Sequence, residues 1–407
     1  MRVLLVTHYY PPESGAPQAR LSEMAARWVE LGLDVTVLTG MPNHPTGVVA
    51  EGYRGAVACR EQRDGVRVLR NWVYATPNEG FVKKTLGHLS FMVSSVLLGG
   101  PRIDRPDVVV VSSPTFFSIG SAWVLARLHR ARLVVEVRDL WPAIFVELGV
   151  LTNRRIICLL ERLELAAYRA ADAVVVVTDG FRDDLVRRGV PVSKVTTIRN
   201  GVDLERFSPR SKPIMGDRSW LGGMDGELLV LYIGAHGISQ GLSSVVEAAA
   251  MVAGEGIHVS LVGEGAGKHA VRERVEKLEV KNVSMLPGVP RDRVPELIAA
   301  ADVCLVPLRD VPLFATFIPS KMFEYLGAGK AVVGSVTGES ARILDDAGAV
   351  VVPAEDPGRL AAALRSLAAN PERRARMGAA GRAYVEHHFD RRELADAYVT
   401  LLRALVT

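Results

Sequence analysis

Seven consecutive residues, Pro319–Tyr325, carry the residue types best suited to chemistry in this chain. The run, Pro-Ser-Lys-Met-Phe-Glu-Tyr, follows an apolar β-branched segment and is predicted to begin a helix at the carboxyl end of a parallel strand. Free N–H groups at a helix start attract phosphate, and Ser320 there is either a helix cap or a phosphate contact. Glu324, one turn further on, suits a carboxylate that accepts hydrogen bonds from sugar hydroxyls. The run therefore predicts a nucleotide-sugar site.

A second pair of reactive residue types, Arg138 and Asp139, directly follows the predicted strand Leu133–Val137. The arginine can balance the charge that develops on a leaving diphosphate, and the carboxylate can orient an acceptor hydroxyl or the reactive sugar. The alternative is a structural ion pair that anchors Trp141. We predict that Arg138 and Asp139 are the catalytic residues.

The sequence offers no recognisable metal site. It contains no Asp-x-Asp motif and no group of His and Cys residues at zinc-binding spacing. Its three cysteines, Cys59, Cys158 and Cys304, show no disulfide spacing, which indicates a reducing compartment. We therefore expect a reaction without a metal or other cofactor, in which groups of the protein neutralise the charge of the phosphates.

The 407 residues, 49% of them apolar and 23% charged, are typical of a soluble globular protein with two domains. The N-terminal apolar run is too short for a signal peptide, and no run reaches the roughly 18 apolar residues of a membrane span. Residues 1–200 hold 25 lysines and arginines against 19 acidic residues, whereas the remainder is slightly acidic. This asymmetry predicts an anionic partner for the first domain. A membrane surface is a better candidate than nucleic acid, because no basic stripe with interleaved aromatic residues is present.

Strands and helices alternate along the whole chain, which predicts an α/β fold with parallel sheets and helices on both faces. The rhythm restarts after a stretch rich in proline and glycine. We therefore predict two doubly wound domains, 1–205 and 227–388, joined by a linker, 206–226, and followed by a terminal segment, 389–407. The predicted strands are Val3–Thr7, Asp34–Thr39, Val66–Arg70, Val108–Ser112, Leu133–Val137, Ala173–Thr178, Val195–Ile198, Leu228–Ile233, Val259–Val262, Val283–Leu286, Val303–Leu308, Ala331–Val336 and Ala349–Val352. The predicted helices include Gln18–Leu31, Phe117–Leu128, Arg373–Phe389 and Arg391–Val406.

One segment of the first half, Tyr74–Gly100, departs from this rhythm. Within it, Phe81–Leu98 begins with Lys83 and Lys84 and then becomes apolar with small polar breaks. This pattern is typical of a helix that lies in a membrane interface, and it also fits a buried helix with a basic N-terminal edge. The sequence leaves both interpretations open.

Six motifs occur in the order found in one enzyme family, and together they span most of the chain. They are Tyr9–Gly15, Met41–Gly47, Glu136–Pro142, Arg199–Asp203, Gly263–Gly265 and Pro319–Glu324. With them the chain resembles the family 4 glycosyltransferases, which are retaining enzymes of the GT-B type. The third and the last motif are most similar to those of bacterial surface-polysaccharide enzymes, including N-acetylfucosamine transferases.

The resemblance implies two Rossmann-like domains that face a cleft, with the acceptor bound by the first and the nucleotide sugar by the second. It implies that the last helix crosses back to the first domain and that domain closure assembles the site. It also implies a donor site made of Gly15, His236, Gln240, Gly263, Glu264, Gly265, Thr316, Phe317, Ile318, Pro319, Ser320, Lys321 and Glu324.

Four residues depart from the family pattern. Family members commonly pair the carboxylate of Glu324 with another glutamate eight residues earlier, where this chain has Thr316. His236 and Gln240 stand near the positions of the arginine and lysine that often clamp the diphosphate. Arg138 replaces a histidine that many relatives carry, so that histidine has no chemical role here.

From this resemblance we expect retaining transfer of a hexose or N-acetylated (deoxy)hexosamine from a nucleoside-diphosphate sugar, with uridine as the expected nucleoside. The expected acceptor is a lipid-linked saccharide of surface-polysaccharide synthesis, which predicts a cytoplasmic enzyme on the inner membrane face. Two alternatives stay open at this point: a nucleotide-sugar 2-epimerase of the same fold, and a non-catalytic subunit of glycan synthesis.

Overall fold

The computed structural model describes the chain over residues 1–13, 15–44, 46–77, 80–113, 116–147, 149–214 and 216–407. It forms two compact units: Met1–Arg199 with Arg392–Thr407, and Asn200–Arg391. The division falls before the stretch 206–226, which was predicted to be a linker and lies within the second unit. Its apolar side chains explain this difference, because Phe207 and Leu221 are fully buried.

The first unit is built on an eight-stranded sheet with the order β3-β4-β2-β1-β5-β6-β7-β8. Among the described strand pairs of this sheet, only β3–β4 is antiparallel. Two of its strands, 108–112 and 173–176, consist mainly of valine and are buried throughout, as parallel strands covered on both faces require. The strands are β1 (Arg2–Val6), β2 (Asp34–Gly40), β3 (Ala58–Arg63), β4 (Val66–Asn71), β5 (Val108–Ser112), β6 (Arg132–Val137), β7 (Ala173–Val176) and β8 (Val195–Thr197).

Helices connect most of these strands. They are α1 (Ala16–Glu30), α2 (Gly80–Ser94), α3 (Phe117–His129), α4 (Ala143–Glu147), α5 (Arg154–Ala170) and α6 (Asp179–Arg187). A π-helical turn, Ser95–Gly99, follows α2 directly. Short 3-10 turns cover Glu51–Tyr53, Gly100–Arg102 and Val192–Lys194.

The second unit is built on a fully parallel six-stranded sheet with the order β11-β10-β9-β12-β13-β14. The strand order reverses between β9 and β12, and open α/β sheets bind ligands beside the carboxyl ends of the strands at such a switch point. The strands are β9 (Leu228–Ile233), β10 (Ile257–Val262), β11 (Val283–Leu286), β12 (Val303–Pro307), β13 (Ala331–Ser335) and β14 (Val350–Val352).

The helices of the second unit are α7 (Asp217–Trp220), α8 (Leu242–Met251), α9 (Lys268–Lys277), α10 (Val294–Ala300), α11 (Lys321–Gly327), α12 (Gly338–Asp346), α13 (Pro357–Ala368) and α14 (Pro371–His388). Short 3-10 turns cover Ile238–Gln240, Arg291–Arg293 and Pro312–Thr316. The last helix, α15 (Arg391–Val406), belongs to the first unit from Arg392 onwards.

Helix α15 is held against α1 by apolar and ionic contacts. The rings of Trp28 and Tyr398 lie 5.1 Å apart and both are buried. On the rim, Nε of Arg27 lies 2.9 Å from Oδ1 of Asp396. The C-terminal helix therefore completes the hydrophobic core of the first unit.

The segment Tyr74–Gly100, for which the sequence left two interpretations open, carries both buried and exposed side chains. Residues 78 and 79 lie outside the described residues. In α2 and the turn after it, Phe91 and Ser95 are buried, whereas Leu86, Val93 and Leu97 are exposed. Within the described part of the chain, no helix has the length and apolar character needed to span a membrane.

Candidate functional site

The predicted donor residues of the second unit lie in the loops, short turns and first helical turn that follow the carboxyl ends of β9, β10 and β12. Tyr325 of α11 ties the elements together: its hydroxyl accepts a hydrogen bond from the backbone N–H of Ile233 at 3.0 Å, at the end of β9. Helix α11 is thereby fixed beside the switch point, with Lys321 and Glu324 in its first turn.

Two glycines let the loops after β9 and β10 pack backbone against backbone. Gly263 and Gly265 have φ angles of 148° and 158°. A Cβ atom on Gly263 would stand 1.8 Å from the carbonyl oxygen of Gly234, and one on Gly265 2.4 Å from that of His236. The backbone N–H of His236 donates to the carbonyl of Glu264 at 2.8 Å. The Gly-Glu-Gly motif therefore has a packing role in addition to its predicted contact with the donor.

His236 and Gln240 bring buried polar atoms to the loop after β9. His236 is fully buried, and neither ring nitrogen has a hydrogen-bond partner among the described residues. The buried Oε1 of Gln240 likewise has none there. Burial, reinforced by the charges of Lys268 and Lys321, lowers the pKa of His236 to about 4, so the imidazole is neutral near pH 7. Such atoms are available to a ligand, because buried polar groups otherwise find partners.

Lys321 occupies the first position of α11. Its ammonium lies 3.6 Å from the centroid of the Tyr232 ring, directly above Gly234. Burial lowers the pKa of Lys321 to about 7, and the nearby carboxylate of Glu324 only partly opposes that shift. The lysine is therefore a poorly solvated cation that gains stability when an anion binds beside it.

Glu324 pairs with Arg291, a residue that the sequence did not single out. Nη1 of Arg291 lies 3.2 Å from Oε1 of Glu324, and its guanidinium also stacks on Phe207 at 5.6 Å from the ring centroid. The ion-pair partner of Glu324 is thus Arg291, from a distant loop, and not Lys321, three residues earlier on the same helix. The available signal was its place in the loop after β11, at the same edge of the sheet.

The stretch before α11 uses several of its polar groups internally. The hydroxyl of Thr316 donates to the carbonyl of Leu313 at 2.7 Å, and the carbonyl of Phe317 accepts from Ser340. Ile318 is nearly buried, and the carbonyl of Pro319 accepts from the N–H of Met322. These contacts fix the backbone ahead of Lys321, so the donor would meet a preformed loop.

Ser320 and Glu264 make contacts that their sequence positions did not reveal. Ser320 occupies the N-cap position of α11 without making a capping hydrogen bond, and its hydroxyl accepts from Nδ2 of Asn200 at 3.3 Å. The carboxylate of Glu264 is largely exposed and lies 2.8 Å from the ammonium of Lys268. Lys268 also donates to the carbonyl of Gly263 at 2.8 Å, which anchors the loop after β10.

The predicted residues of the first unit are Gly15, Arg138 and Asp139. Arg138 follows β6, where its backbone N–H donates to the hydroxyl of Ser113 at 3.0 Å. Its Nε and Nη1 atoms are buried and have no hydrogen-bond partner among the described residues. Burial raises the pKa of Asp139 to about 6, against the opposing charge of Arg138. An arginine with unmet donors beside a carboxylate of raised pKa is an arrangement suited to a ligand.

Gly15 precedes α1 with an extended backbone, so its φ angle places no demand on glycine. A Cβ atom there would instead meet Oε1 of Gln18 at 2.4 Å. Gln18 is buried, and that oxygen has no hydrogen-bond partner among the described residues. Gln18 therefore places an unpaired polar atom beside Gly15, and the sequence alone did not indicate this residue.

The carboxylate of Glu13, in the motif after β1, holds the backbone of the motif after β2 by hydrogen bonds. Oε1 of Glu13 accepts from the backbone N–H groups of Asn43 and His44, both at 2.8 Å, and Oε2 accepts from that of Tyr10 at 3.1 Å. The buried pair Arg20–Glu136, at 2.8 Å, ties α1 to β6 in a similar way. Ser14 and Pro45 of these motifs lie outside the described residues. Two of the family motifs are thus partly structural.

Three histidines, His8, His44 and His88, line a cavity of about 360 Å³ in the first unit. Nδ1 of His8 lies 3.4 Å from Nδ1 of His88, and the rings of Tyr9 and His44 lie 5.3 Å apart. Burial lowers the pKa of both His8 and His88, the latter to about 4. The other lining residues include Asn43, Tyr74, Thr76, Lys83 and Lys84. The cavity therefore combines neutral donors with two cationic side chains.

An open apolar groove of about 610 Å³ adjoins this cavity and shares Tyr74 with it. It is lined by Trp72, Tyr74, Leu86, Leu89, Ser90, Val93, Ser94, Leu97 and Leu98. A polar cavity next to an apolar groove suits a molecule that has a polar head and a hydrocarbon chain.

Two family profiles match this chain. "Glycosyl transferase 4-like domain" covers residues 15–201, and "Glycosyl transferases group 1" covers residues 221–384. The putative colanic acid biosynthesis glycosyl transferase WcaI of Escherichia coli K12 is 26% identical over 334 residues, which are 81% of this chain and 82% of the relative. A D-inositol 3-phosphate glycosyltransferase of Xylanimonas cellulosilytica is 29% identical over 78% of this chain and 77% of the relative.

Solved structures share the fold over nearly the whole length. The sucrose-phosphate synthase of Thermosynechococcus elongatus superposes with a TM-score of 0.76 at 19% identity, over 99% of this chain and 98% of that one. HepE of Anabaena, solved with UDP and glucose, gives a TM-score of 0.73 at 16% identity, over 99% and 100% of the two chains.

The matching profiles and relatives are glycosyl transferases, which favours transfer over the epimerase and the non-catalytic subunit. The two α/β sheets agree with the predicted fold. The chain therefore belongs to the family 4 glycosyltransferases of the GT-B fold and is a hexosyltransferase that resembles enzymes of surface-polysaccharide synthesis.

Proposed function

We propose that this enzyme transfers a hexose or N-acetylated (deoxy)hexosamine from a UDP-sugar to a lipid-linked saccharide, with retention of the anomeric configuration and without a metal. The second unit would bind the donor and the first unit the acceptor. The enzyme would act in surface-polysaccharide synthesis, in the cytoplasm and on the inner membrane face. The E. coli relatives of colanic acid biosynthesis support the role in surface-polysaccharide synthesis.

One observation carries the donor proposal: Lys321 and His236 both lie beside the ring of Tyr232 on β9, next to the switch point of the second sheet, and Glu324 follows Lys321 in the first turn of α11. The carboxylate of Glu324, oriented by Arg291, would accept hydrogen bonds from the ribose hydroxyls. The ammonium of Lys321 would approach the diphosphate, and neutral His236 would donate one hydrogen bond to it. The complexes of HepE with UDP and with UDP-glucose support a uridine nucleotide on this fold.

In the proposed reaction, side chains of the protein neutralise the negative charge of the diphosphate. The anomeric carbon would lose its bond to the diphosphate oxygen and form a bond to the acceptor oxygen on the same face of the sugar. The acceptor proton would pass to an oxygen of the departing diphosphate. Arg138, with its unmet donors, would stabilise the charge on that diphosphate, and Asp139 would orient the acceptor hydroxyl.

The acceptor proposal rests on the histidine-lined cavity and the groove beside it. Lys83 and Lys84 provide positive charge for a phosphate or diphosphate group, and neutral His8 and His88 provide hydrogen-bond donors. The groove from Tyr74 to Leu98 would accept the first isoprenoid units of a polyprenyl chain. A saccharide on a polyprenyl diphosphate combines the two chemistries.

The direct test is release of UDP from candidate UDP-sugars in the presence of EDTA, with lipid-linked saccharides extracted from membranes as acceptors. The proposal expects release that depends on both substrates and a product whose new linkage keeps the donor configuration. Isomerisation of the UDP-sugar without an acceptor would refute the proposed transfer reaction. Transfer that begins only after a divalent metal is added would refute the proposal that no metal is needed.

A further inference from the structure

Helix α5 of the first unit exposes its large apolar side chains to solvent. Ile156, Leu159 and Leu163 are 46%, 57% and 48% exposed. Spaced at i, i+3 and i+7, they form one stripe along the helix. Val150, four residues before the helix, is also 51% exposed. An amphipathic helix that only packed on its own sheet would point such a stripe inward.

The inward side of α5 is polar instead. Glu164 and Tyr168 are fully buried, and the hydroxyl of Tyr168 donates to Oε1 of Glu164 at 3.1 Å. Oε2 of Glu164 forms an ion pair with Arg188. Burial raises the pKa of Glu164 to about 7, which means that its charged form is destabilised in this position. The contacts with Arg188 and Tyr168 offset part of that free-energy cost. The apolar stripe is therefore the outer surface of a helix that is anchored from inside by polar contacts.

Basic residues flank the stripe. Arg155 and Arg162, two turns apart, are exposed along one edge of it, and Arg154 is exposed at the start of the helix. A helix with an apolar stripe and an arginine edge is the pattern of segments that lie in the interface of an anionic bilayer. The apolar side chains enter the acyl boundary there, and the guanidinium groups contact phosphate headgroups.

Neighbouring helices present similar residues on the same face of the sheet. The connections β4–α2–β5, β5–α3–β6 and β6–α5–β7 advance in one direction along the sheet, whereas β1–α1–β2 advances in the other. Right-handed crossovers therefore put α2, α3 and α5 on one face and α1 on the opposite one. On that first face, Leu97 and Leu128 are each 67% exposed and Trp123 is 43% exposed.

We propose that the face formed by α2, α3 and α5 binds the surface of an anionic phospholipid bilayer, with the Ile156–Leu159–Leu163 stripe as its main apolar contact. This inference rests on the proposed membrane location and names the surface that makes the contact. The apolar groove along α2 opens on the same side of the sheet, which would let a membrane-borne acceptor enter without leaving the bilayer.

The test is co-sedimentation of the full-length enzyme with vesicles of phosphatidylglycerol and phosphatidylcholine, compared with phosphatidylcholine alone. Two double variants test the two components of this surface. Leu159→Ser with Leu163→Ser changes the apolar stripe, and Arg155→Glu with Arg162→Glu changes the basic edge beside it. The control, Arg272→Glu with Lys277→Glu on exposed positions of α9, makes the same change in charge on the second unit. All of these positions are exposed, so the fold is expected to persist.

We expect each α5 variant to lose at least tenfold in affinity for the anionic vesicles and the α9 control to bind like the unchanged enzyme. The thermal shift with UDP-sugars should be equal in all of them, which separates this inference from the donor proposal. Equal vesicle binding by the α5 variants, or no preference for anionic lipid, would overturn it. So would a dimer in gel filtration that the two serine substitutions dissociate, because the stripe would then contact a second copy.

Discussion

The guanidinium of Arg291 lies 3.2 Å from the carboxylate of Glu324, and the two residues come from opposite sides of the strand-order reversal. Arg291 follows β11, on the outer edge of one half of the sheet, and Glu324 follows β12, in the other half. The ion pair therefore spans the carboxyl end of β9, where Lys321 also lies. It holds the carboxylate expected to read the ribose in one orientation before the donor arrives.

Donor affinity should fall as pH rises above 7, because Lys321 loses its proton there. Its pKa of about 7 in the free enzyme means that binding of a diphosphate above that pH requires uptake of a proton. From pH 6.5 to 8.5 we expect the dissociation constant of a UDP-sugar to rise on the order of twentyfold. Lys321→Arg, which stays charged, should remove most of this dependence. Calorimetric titrations with equal affinity at both pH values would contradict the proposed role of Lys321.

Gly263→Ala should destabilise the second unit strongly. The added Cβ would stand 1.8 Å from the carbonyl oxygen of Gly234 at a φ angle of 148°, so the loops after β9 and β10 must separate. We expect a loss on the order of 2–4 kcal/mol, together with weaker donor binding. Gly358→Ala in α13 is the control, because its Cβ would meet only one side-chain oxygen at 3.5 Å and alanine favours a helix. Unfolding curves that shift equally in the two variants would contradict this account of the motif.

Asp139→Asn should stabilise the protein and remove activity. The folded-state pKa of Asp139 is raised to about 6, above the usual value of 3.8, so the native state holds a proton that the unfolded chain has lost between these values. Stability therefore falls as pH rises from about 4 to 6, and the deficit persists above pH 6. The asparagine variant lacks this deficit and should melt several degrees higher at pH 8. A lower melting temperature, or full turnover, would contradict a functional reason for the buried carboxylate.

Lys83→Gln combined with Lys84→Gln should raise the KM for the lipid acceptor and leave UDP-sugar affinity unchanged. Both lysines line the histidine cavity, so their loss removes charge where the acceptor phosphates would bind. Exchanging Arg272 and Lys277 of α9 for glutamine is the matched control. The comparison is steady-state kinetics with each substrate varied in turn. An unchanged KM for the acceptor would show that the acceptor does not bind in this cavity.

Most of the sheet framework was predictable because its strands are continuous β-branched runs bounded by turn residues. The central strands Val108–Ser112 and Leu228–Ile233 match their predicted ranges. Strand β3, Ala58–Arg63, was missed because it is a polar edge strand whose residues are exposed or half-buried in alternation. The boundary was predicted too late because proline and glycine in 206–226 indicate turns, and turns also occur inside a folded unit.

The candidate site was only partly predictable for a related reason. Residues that act within one motif, such as Lys321 and Glu324, are visible as a pattern, whereas pairs brought together by the fold are not. Arg291 is 33 residues from Glu324, and His88 is 80 residues from His8. No local spacing links them, so only the packing of helices and loops at the edge of each sheet reveals these contacts.

The most direct measurement is calorimetric titration of the enzyme in EDTA with a panel of nucleoside-diphosphate sugars, alongside Glu324→Gln, Arg291→Met and the control Glu276→Gln on the exposed side of α9. We predict that UDP-sugars bind, that both site variants lose at least tenfold in affinity, and that the control does not. Binding that survives unchanged in Glu324→Gln, or that appears only with an added divalent cation, would contradict the donor site described above.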